Sequence, residues 1–220
     1  MKIFLDTADI EQIGSAYSTH LLNGVTTNPT LIYKSGRNPV EVIKEIHLAF
    51  PHLESISAEV VGDTMEEMLE QAQAFKDMWN VTIKVPCTIE GLKACRILTE
   101  NKFNVNVTLV FSLSQAILAE KAGARYISPF VGRWVDNSVN GCKLISDIHD
   151  YFKHDFTTTQ ILAASIRDSY QVEQCALAGA NVVTLPPKVF WGMFNNIMTD
   201  KGLELFQKDW ESINNVRNFN

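Results

Sequence analysis

The sequence has little clustered positive charge. Its 220 residues include 19 Lys and Arg against 25 Asp and Glu, which gives a formal net charge of -6. Because a nucleic-acid surface neutralises phosphates with grouped Lys and Arg, this balance argues against a nucleic-acid partner. A small anionic substrate stays compatible with it, since one or two local arginines are enough to bind a phosphate.

Long hydrophobic runs are missing as well. The longest apolar stretches are about strand length, well short of the roughly 20 residues that cross a bilayer. The apolar residues that precede Asp6 are too few for a signal peptide. We therefore expect a cytoplasmic protein that has no membrane partner.

The cysteines and histidines lack the spacing of ligands. Cys87, Cys95, Cys142 and Cys175 form no CxxC pair, and the five histidines share no regular spacing. We expect reduced thiols in place of disulfides, and we expect no metal site.

No Gly-, Ser- or Pro-rich linker interrupts the chain, so we expect one domain over residues 1–220. Eight β-like runs alternate with helix-like segments. The predicted strands are 2–6, 24–27, 55–60, 81–85, 104–110, 125–128, 160–164 and 181–184. The predicted helices are 9–19, 38–50, 64–78, 89–101, 113–122, 143–153, 168–178 and 187–196, with an extra C-terminal helix at about 200–214. This alternation predicts an α/β fold, a single-domain (β/α)8 TIM barrel, with a doubly wound eight-stranded sheet as the alternative.

One lysine lies inside an apolar strand. Lys84 shares a face with Thr82 by period-two alternation, opposite Val81, Ile83 and Val85. Burial disfavours the charged form of a lysine, so an interior lysine can become a nucleophilic amine that forms a Schiff base. The alternative is a lysine at a strand end that extends to solvent.

Polar side chains also lie near the C-terminal ends of almost all the remaining predicted strands, where such barrels place their chemistry. They are Asp6, Thr26, Asn28, Glu59, Asn106, Thr108, Ser128, Ser165 and Arg167. Alternation places Asn106 and Thr108 opposite Val105, Val107 and Leu109. Because such groups are costly to bury unpaired, their number favours a functional site over a structural role. Asp6 could instead cap the first helix, although Asp9 can do that, and the arginines could be surface ion-pair partners.

Seven segments in order resemble the motifs of the transaldolase family. They read LDTA at 5–8, GVTTNP at 24–29, AEV at 58–60, IKVP at 83–86, NVTLVFS at 106–112, SPFVGR at 128–133 and AASIR at 163–167. The similarity runs from residue 1 to about 210 and points to the small branch shared with fructose-6-phosphate aldolases. It implies a class I aldolase-type barrel that moves a dihydroxyacetone unit between sugar phosphates without a metal or organic cofactor.

The resemblance also implies a role for each matching residue. Lys84 would form the Schiff base, Asp6 would take the C4 hydroxyl proton with support from Thr26, and Glu59 and Thr108 would hold a relay water. The hydroxyls of the three-carbon unit would be bound by Asn28, Asn106 and Ser128, and the phosphate by Arg133, Ser165 and Arg167. The resemblance places Phe130 at the mouth of the barrel.

Two enzyme functions and one binding function stay open. A transaldolase would carry Glu at position 59 and Phe at position 130, as this chain does. A fructose-6-phosphate aldolase, which releases free dihydroxyacetone, would carry Gln and Tyr. The third possibility is a sugar-phosphate-binding barrel without catalysis, against which the intact Asp6, Glu59 and Lys84 argue.

One region departs from the family pattern. Residues 134–141 contain an indole and two asparagines where the family usually has an aspartate-rich stretch, which affects how Arg133 would reach a phosphate.

The C-terminal helix carries an apolar stripe of Leu203, Leu205, Phe206, Trp210 and Ile213. Small members of the family form rings in which this helix reaches a neighbour, so a homo-oligomer is expected, a pentamer or a decamer.

Overall fold

Eight parallel strands close into a barrel in the order of the sequence. The computed structural model describes residues 1–155 and 157–217, with side chains at all of these positions except 34, 35 and 214–217. The strands are β1 (Lys2–Asp6), β2 (Gly24–Thr26), β3 (Ser55–Glu59), β4 (Val81–Pro86), β5 (Asn104–Val110), β6 (Tyr126–Pro129), β7 (Gln160–Ala163) and β8 (Val182–Leu185). The predicted closed (β/α)8 barrel is confirmed, and the doubly wound alternative is wrong because β1 pairs with both β2 and β8.

Helices surround the barrel. They are α1 (Ile10–Tyr17), α2 (Pro29–Ser35), α3 (Pro39–Ala49), α4 (Met65–Ala72), α5 (Ile89–Glu100), α6 (Leu113–Lys121), α7 (Val131–Val135), α8 (Gly141–Asp155), α9 (Ser169–Leu177), α10 (Pro187–Gly192) and α11 (Ile197–Arg217), and a 3-10 turn at Gln73–Phe75 follows α4. The short helices α2 and α7 were not predicted. Asn28 and Pro29, which in sequence indicate only a turn, start α2, since Asn28 accepts a hydrogen bond from the Leu31 amide and Pro29 occupies the first turn.

Polar side chains cap several of the helices. Thr64 and Glu67 form a reciprocal capping box at the start of α4, and Asp168 caps α9. Asp9 accepts hydrogen bonds from the first amides of α1. The capping role considered for Asp6 therefore belongs to Asp9, which leaves Asp6 available inside the barrel.

The barrel interior contains an apolar cluster beneath a polar layer. Phe4, Tyr126, Leu162 and Val182 pack together there, and the Phe4 and Tyr126 rings meet edge to face at 5.8 Å. A Cβ at Gly24 would come within 2.7 Å of the Phe4 ring, so only glycine lets β2 run past this cluster. The next inward residue of β1 after Phe4 is Asp6, and the polar layer begins there.

Strand β5 departs from simple alternation. Its register against β6 shifts between Val107 and Val110, and Leu109 has a φ of 59°. The prediction that Leu109 lies with Val105 and Val107 on the helix-facing side is wrong. The bulge turns its side chain, 37% exposed, toward the mouth of the barrel.

In the residues that the structure describes, no helix is both long enough and apolar enough to cross a membrane. All four cysteines are free thiols. Cys142 of α8 and Cys175 of α9 face each other with their sulfur atoms 3.8 Å apart.

Candidate active site

The C-terminal ends of the strands open into a cavity of about 410 Å³. All twelve residues singled out from the sequence line it: Asp6, Thr26, Asn28, Glu59, Lys84, Asn106, Thr108, Ser128, Phe130, Arg133, Ser165 and Arg167. They come from strands or loops that are far apart in sequence. The barrel brings them together because parallel strands end on one rim.

Lys84 reaches into the floor of this cavity. Its Nζ atom lies 2.9 Å from Oε2 of Glu59 and donates a hydrogen bond to the carbonyl oxygen of Thr27 at 3.3 Å. Only 8% of the Lys84 side chain is exposed, so the amine does not extend to bulk solvent. The register pairs Glu59 with Lys84 and Lys84 with Asn106, which aligns a carboxylate, an amine and an amide across three strands.

Asp6, at the end of β1, lines the same cavity. Burial raises the pKa of its carboxyl above the ordinary 3.8, and the negative charge of Glu59 adds to this effect. A hydrogen bond from Thr26, whose Oγ1 lies 2.8 Å from Oδ1, and the charge of Lys84 oppose the increase. A carboxylate whose pKa is raised in this way is suited to accept a proton.

Hydrogen-bonding groups on β5 and β6 face the cavity, and two of them lack a partner. Ser128 donates to Oδ1 of Asn106 at 2.8 Å. Nδ2 of Asn106 and Oγ1 of Thr108 are buried without a hydrogen-bond partner. Since an unsatisfied buried polar group costs about 1–3 kcal/mol, these two atoms are suited to bind a polar ligand or water.

Two arginines line the mouth of the cavity, and their guanidinium groups have different partners. Arg133, on α7, places its guanidinium 5.5 Å from the centre of the Phe130 ring. Nη2 of Arg167 lies 2.8 Å from Oδ2 of Asp136, and both side chains of this pair are about half exposed. Arg167 is therefore an ion-pair partner here, which was the alternative to a phosphate ligand. Surface pairs of this kind are weak enough to exchange for a ligand.

Helix α7 packs closely on the loop that follows β7. A Cβ at Gly132 would lie 1.8 Å from the carbonyl oxygen of Ser165 and 3.0 Å from Nε of Arg167. Ser165 itself has a φ of 64°. Glycine at 132 therefore brings the two arginine-bearing segments together at one side of the mouth.

The segment 134–141, which departs from the family pattern, begins inside a helix, because α7 extends to Val135. Its indole packs edge to face on Phe111, with ring centres 6.3 Å apart, and Phe111 packs on Phe130 at 5.6 Å. Trp134 thus supports the aromatic wall of the cavity, and Arg133, one residue earlier, lines the cavity.

Eight further residues line the cavity, and Leu109 and Thr184 are the two of them that bear most on its chemistry and shape. Leu109 reaches the cavity only through the β5 bulge, for which alternation gives no signal. Thr184 of β8 lines the cavity, and its Oγ1 lies 2.6 Å from Oγ1 of Thr26. Alternation with the apolar Val183 and Leu185 would have indicated its inward position.

The site is built from amine, carboxylate, amide and hydroxyl groups. Among the residues whose side chains are described, no three His, Cys, Asp or Glu are grouped so that they could hold a metal ion. A buried lysine paired with one carboxylate, with a second carboxylate in the same cavity close enough to feel its charge, is suited to covalent chemistry on a carbonyl group.

Comparison with known proteins agrees with this arrangement. The model of the transaldolase/fructose-6-phosphate aldolase family matches residues 3–217. The chain belongs to that family. It is 49% identical over 214 residues to a probable transaldolase of Cereibacter sphaeroides, with 96% of this chain and 95% of that protein covered. A probable transaldolase of Caulobacter vibrioides is 48% identical over 213 residues, with 96% and 97% covered.

Solved structures with low sequence identity share the fold. The 3-hexulose-6-phosphate synthase of Salmonella typhimurium superposes with a TM-score of 0.60 at 21% identity, over 84% of this chain and 89% of that one. A thiamine phosphate pyrophosphorylase of Pyrococcus furiosus gives 0.59 at 16% identity, over 87% and 93%. At these identities the likeness concerns the barrel alone. The family match and the curated relatives, in contrast, make this chain an aldolase-type or transferase enzyme.

Proposed function

We propose that this enzyme is a transaldolase that forms a Schiff base on Lys84. It would move a dihydroxyacetone unit between sugar phosphates, converting sedoheptulose 7-phosphate and glyceraldehyde 3-phosphate into erythrose 4-phosphate and fructose 6-phosphate, and the reverse. The observation that carries the proposal is the buried Lys84 amine, 2.9 Å from the carboxylate of Glu59 and open to a polar cavity. We further propose that the reaction is a cytoplasmic step of the pentose phosphate pathway.

The first step needs a neutral amine. Transfer of a proton from the Lys84 ammonium to Glu59 across their 2.9 Å contact would leave the nitrogen lone pair free to attack the C2 ketone. The resulting carbinolamine must then lose its C2 hydroxyl as water. A relay water held between Glu59 and the unpartnered hydroxyl of Thr108 would deliver the proton for that loss.

Carbon–carbon cleavage needs a base beside the iminium. Asp6 would take the C4 hydroxyl proton as the C3–C4 bond breaks. The bonding electrons then pass into the iminium, which becomes an enamine, and an aldose phosphate leaves. Because burial raises the pKa of Asp6, the carboxyl can hold this proton until the next aldehyde arrives, and it then returns the proton.

The remaining cavity groups would position the substrate. The free Nδ2 of Asn106, oriented by the hydrogen bond that its Oδ1 accepts from Ser128, would bind a hydroxyl of the three-carbon unit. Asn28 would add a further contact from the cavity wall. At the mouth, Ser165, Arg133 and Arg167 would bind the phosphate, Arg167 after releasing Asp136.

Transfer competes with release of the three-carbon unit. Phe130 lines the cavity with a ring that has no hydrogen-bonding group, and Phe111 packs against it. We propose that this apolar wall slows protonation of the enamine and the hydrolysis that follows it, which favours transfer over release.

A two-condition assay tests the proposal. The purified protein is given fructose 6-phosphate with and without erythrose 4-phosphate, and sedoheptulose 7-phosphate, glyceraldehyde 3-phosphate and free dihydroxyacetone are measured. We expect rapid turnover only when the acceptor is present. Release of free dihydroxyacetone at the rate of transfer would instead make the protein a fructose-6-phosphate aldolase. No turnover in either condition would support a non-catalytic sugar-phosphate-binding barrel.

A further inference from the structure

Three side chains in the lining of the cavity form a chain of hydrogen bonds. Oγ1 of Thr184 lies 2.6 Å from Oγ1 of Thr26, and Oγ1 of Thr26 lies 2.8 Å from Oδ1 of Asp6. Both threonines are almost fully buried. The barrel creates this contact because β1 lies between β2 and β8, so that Thr26 and Thr184 approach each other inside the barrel beside the end of β1.

The direction of the chain follows from counting hydrogens. A threonine hydroxyl has one hydrogen to donate and two lone pairs to accept with. When Asp6 is ionised it can only accept, so the hydrogen of Thr26 is used on Asp6. The 2.6 Å contact is then a hydrogen bond only if Thr184 donates to Thr26.

We propose that Thr184 is a positioning residue for the base Asp6, and that it acts through Thr26. Its hydroxyl fixes the Thr26 hydroxyl in the rotamer that donates to Asp6 and polarises that hydroxyl, which strengthens the second hydrogen bond. This inference rests on the proposed function, because it assigns to Asp6 the proton transfer of the cleavage step.

The same chain can reverse when Asp6 holds a proton. A protonated Asp6 can donate to Thr26, and Thr26 can then donate to Thr184, whose lone pairs are free to accept. The two threonines would therefore keep Asp6 in one orientation in both of its protonation states. A base that takes a proton and later returns it needs this property.

Loss of the Thr184 hydroxyl should raise the pKa of Asp6. The hydrogen bond from Thr26 lowers the pKa of that carboxyl against the effect of burial, so a weaker bond leaves the increase less opposed. The charged groups that face Asp6 within the described barrel are Lys84 on β4 and Glu59 on β3, and Arg133 and Arg167 line the mouth above them. None of these is changed by a substitution at Thr184.

Two substitutions separate the hydroxyl from the shape of the side chain. Thr184→Val keeps the volume and removes the hydroxyl, whereas Thr184→Ser keeps the hydroxyl and removes a methyl group. The pH dependence of kcat is measured for transfer from fructose 6-phosphate to erythrose 4-phosphate. For Thr184→Val we expect kcat to fall about three- to tenfold, with the acidic limb about 0.5 pH unit higher. Thr184→Ser should restore the acidic limb of the wild type.

A double substitution tests whether the effect passes through Thr26. Thr26→Val alone should move the acidic limb at least as far as Thr184→Val, and adding Thr184→Val to it should cause no further shift. Melting temperatures of all variants control for folding. A merely structural Thr184 would make Thr184→Ser, which leaves a cavity, the more damaged variant, with the acidic limb in place for both.

Failure of this inference is distinguishable from failure of the proposed function. If borohydride traps no substrate on Lys84 of the wild type, the Schiff-base mechanism is wrong and with it the role of Asp6. If the wild type is trapped and turns over, but Thr184→Val keeps the acidic limb of the wild type, only the positioning role of Thr184 is wrong.

Discussion

At the residue scale, Asp6 occupies a position that disfavours its own charge. Burial raises its pKa, and the hydrogen bond from Thr26 and the charge of Lys84 only partly offset this. In the folded protein the carboxyl therefore binds its proton more tightly than in the unfolded chain, where the ordinary value is 3.8. Ionising Asp6 lowers the stability of the fold, and the cost appears as the pH rises from 3.8 through the folded-state pKa.

Asp6→Asn should separate stability from catalysis. Asn keeps an oxygen that accepts the Thr26 hydrogen bond but cannot ionise, so the variant should melt at a higher temperature than the wild type at pH 7. The difference should shrink as the pH is lowered toward 3.8. Cleavage should slow by a factor on the order of 100 or more, while Schiff-base formation continues. Calorimetry over a pH series and single-turnover kinetics measure the two effects. A lower melting temperature at pH 7 would mean that Asp6 stabilises the fold.

Phe130→Tyr should convert transfer into release. A hydroxyl at the cavity wall could donate to a water beside the enamine and promote its protonation, after which hydrolysis frees dihydroxyacetone. We expect formation of dihydroxyacetone without an acceptor to increase at least several-fold, measured by a coupled assay.

Phe111→Tyr is the matched control for this change. The ring of Phe111 packs on that of Phe130, with ring centres 5.6 Å apart, but Phe111 is not part of the cavity lining. If both tyrosine variants gain the same release activity, the hydroxyl does not act from the cavity wall.

Seven site residues could be predicted because they lie at or just beyond the end of a strand, and parallel strands end together: Asp6, Thr26, Asn28, Glu59, Ser128, Ser165 and Arg167. Phe130 and Arg133 were indicated only by the family motifs. Lys84, Asn106 and Thr108 also follow from period-two alternation, which holds until Thr108. It fails at Leu109, where the bulge inserts a residue that the pattern does not encode. The partners within the site were less predictable. The hydrogen bond between Thr26 and Thr184 depends on closure of the barrel, which places β2 and β8 on either side of β1.

At the element scale, helix α7 and the loop after β7 place the positive charges of Arg133 and Arg167 at the mouth of the cavity.

The two short helices at the rim, α2 and α7, were missed in the sequence for a physical reason. Each has seven or fewer residues, too few for a periodic pattern, and α7 has no side-chain cap. The longer helices were predicted because their apolar faces and caps repeat over several turns.

Asp136→Asn should tighten substrate binding. The ion pair with Asp136 at 2.8 Å occupies Arg167, and the carboxylate also repels a phosphate. Since exposed pairs are worth up to about 1 kcal/mol, we expect KM for fructose 6-phosphate to fall about two- to fivefold, with kcat little changed and the effect weaker at high salt.

Asp155→Asn provides a control for this change. It removes a carboxylate from a comparable surface pair, with Lys121 at 2.8 Å, that does not line the cavity. A rise in KM for Asp136→Asn alone would mean that the ion pair holds Arg167 in its binding position.

At the scale of the whole molecule, α11 leaves apolar side chains uncovered. Leu203, Phe206, Trp210 and Ile213 are each half or more exposed, and their spacing places them on one stripe of the helix. Leu205, which the sequence assigned to the same stripe, is exposed on another face of the helix. A contiguous row of large apolar side chains left exposed on one face of a helix is typical of an interaction site. We propose that the stripe packs on a neighbouring copy of the chain in a homo-oligomer, a pentamer or a decamer.

Disruption of this stripe should reduce the size of the assembly. Phe206→Glu places a charge on the stripe, whereas Ser212→Glu adds the same charge elsewhere on α11 and serves as the control. We expect smaller species for Phe206→Glu by light scattering after gel filtration, together with a lower melting temperature. Truncation after Thr199 should have the same effect. An unchanged molar mass for both altered forms would contradict a role for α11 in assembly.

The covalent role of Lys84 is the central claim, and trapping tests it most directly. The protein is incubated with fructose 6-phosphate, reduced with borohydride, digested and mapped by mass spectrometry, with Lys84→Ala as the control. We predict a reduced three-carbon adduct on Lys84 alone, the same yield with EDTA present, and no adduct on the folded Lys84→Ala variant. An adduct on another lysine, or transfer activity that is lost with EDTA and returns with a divalent metal, would contradict the account.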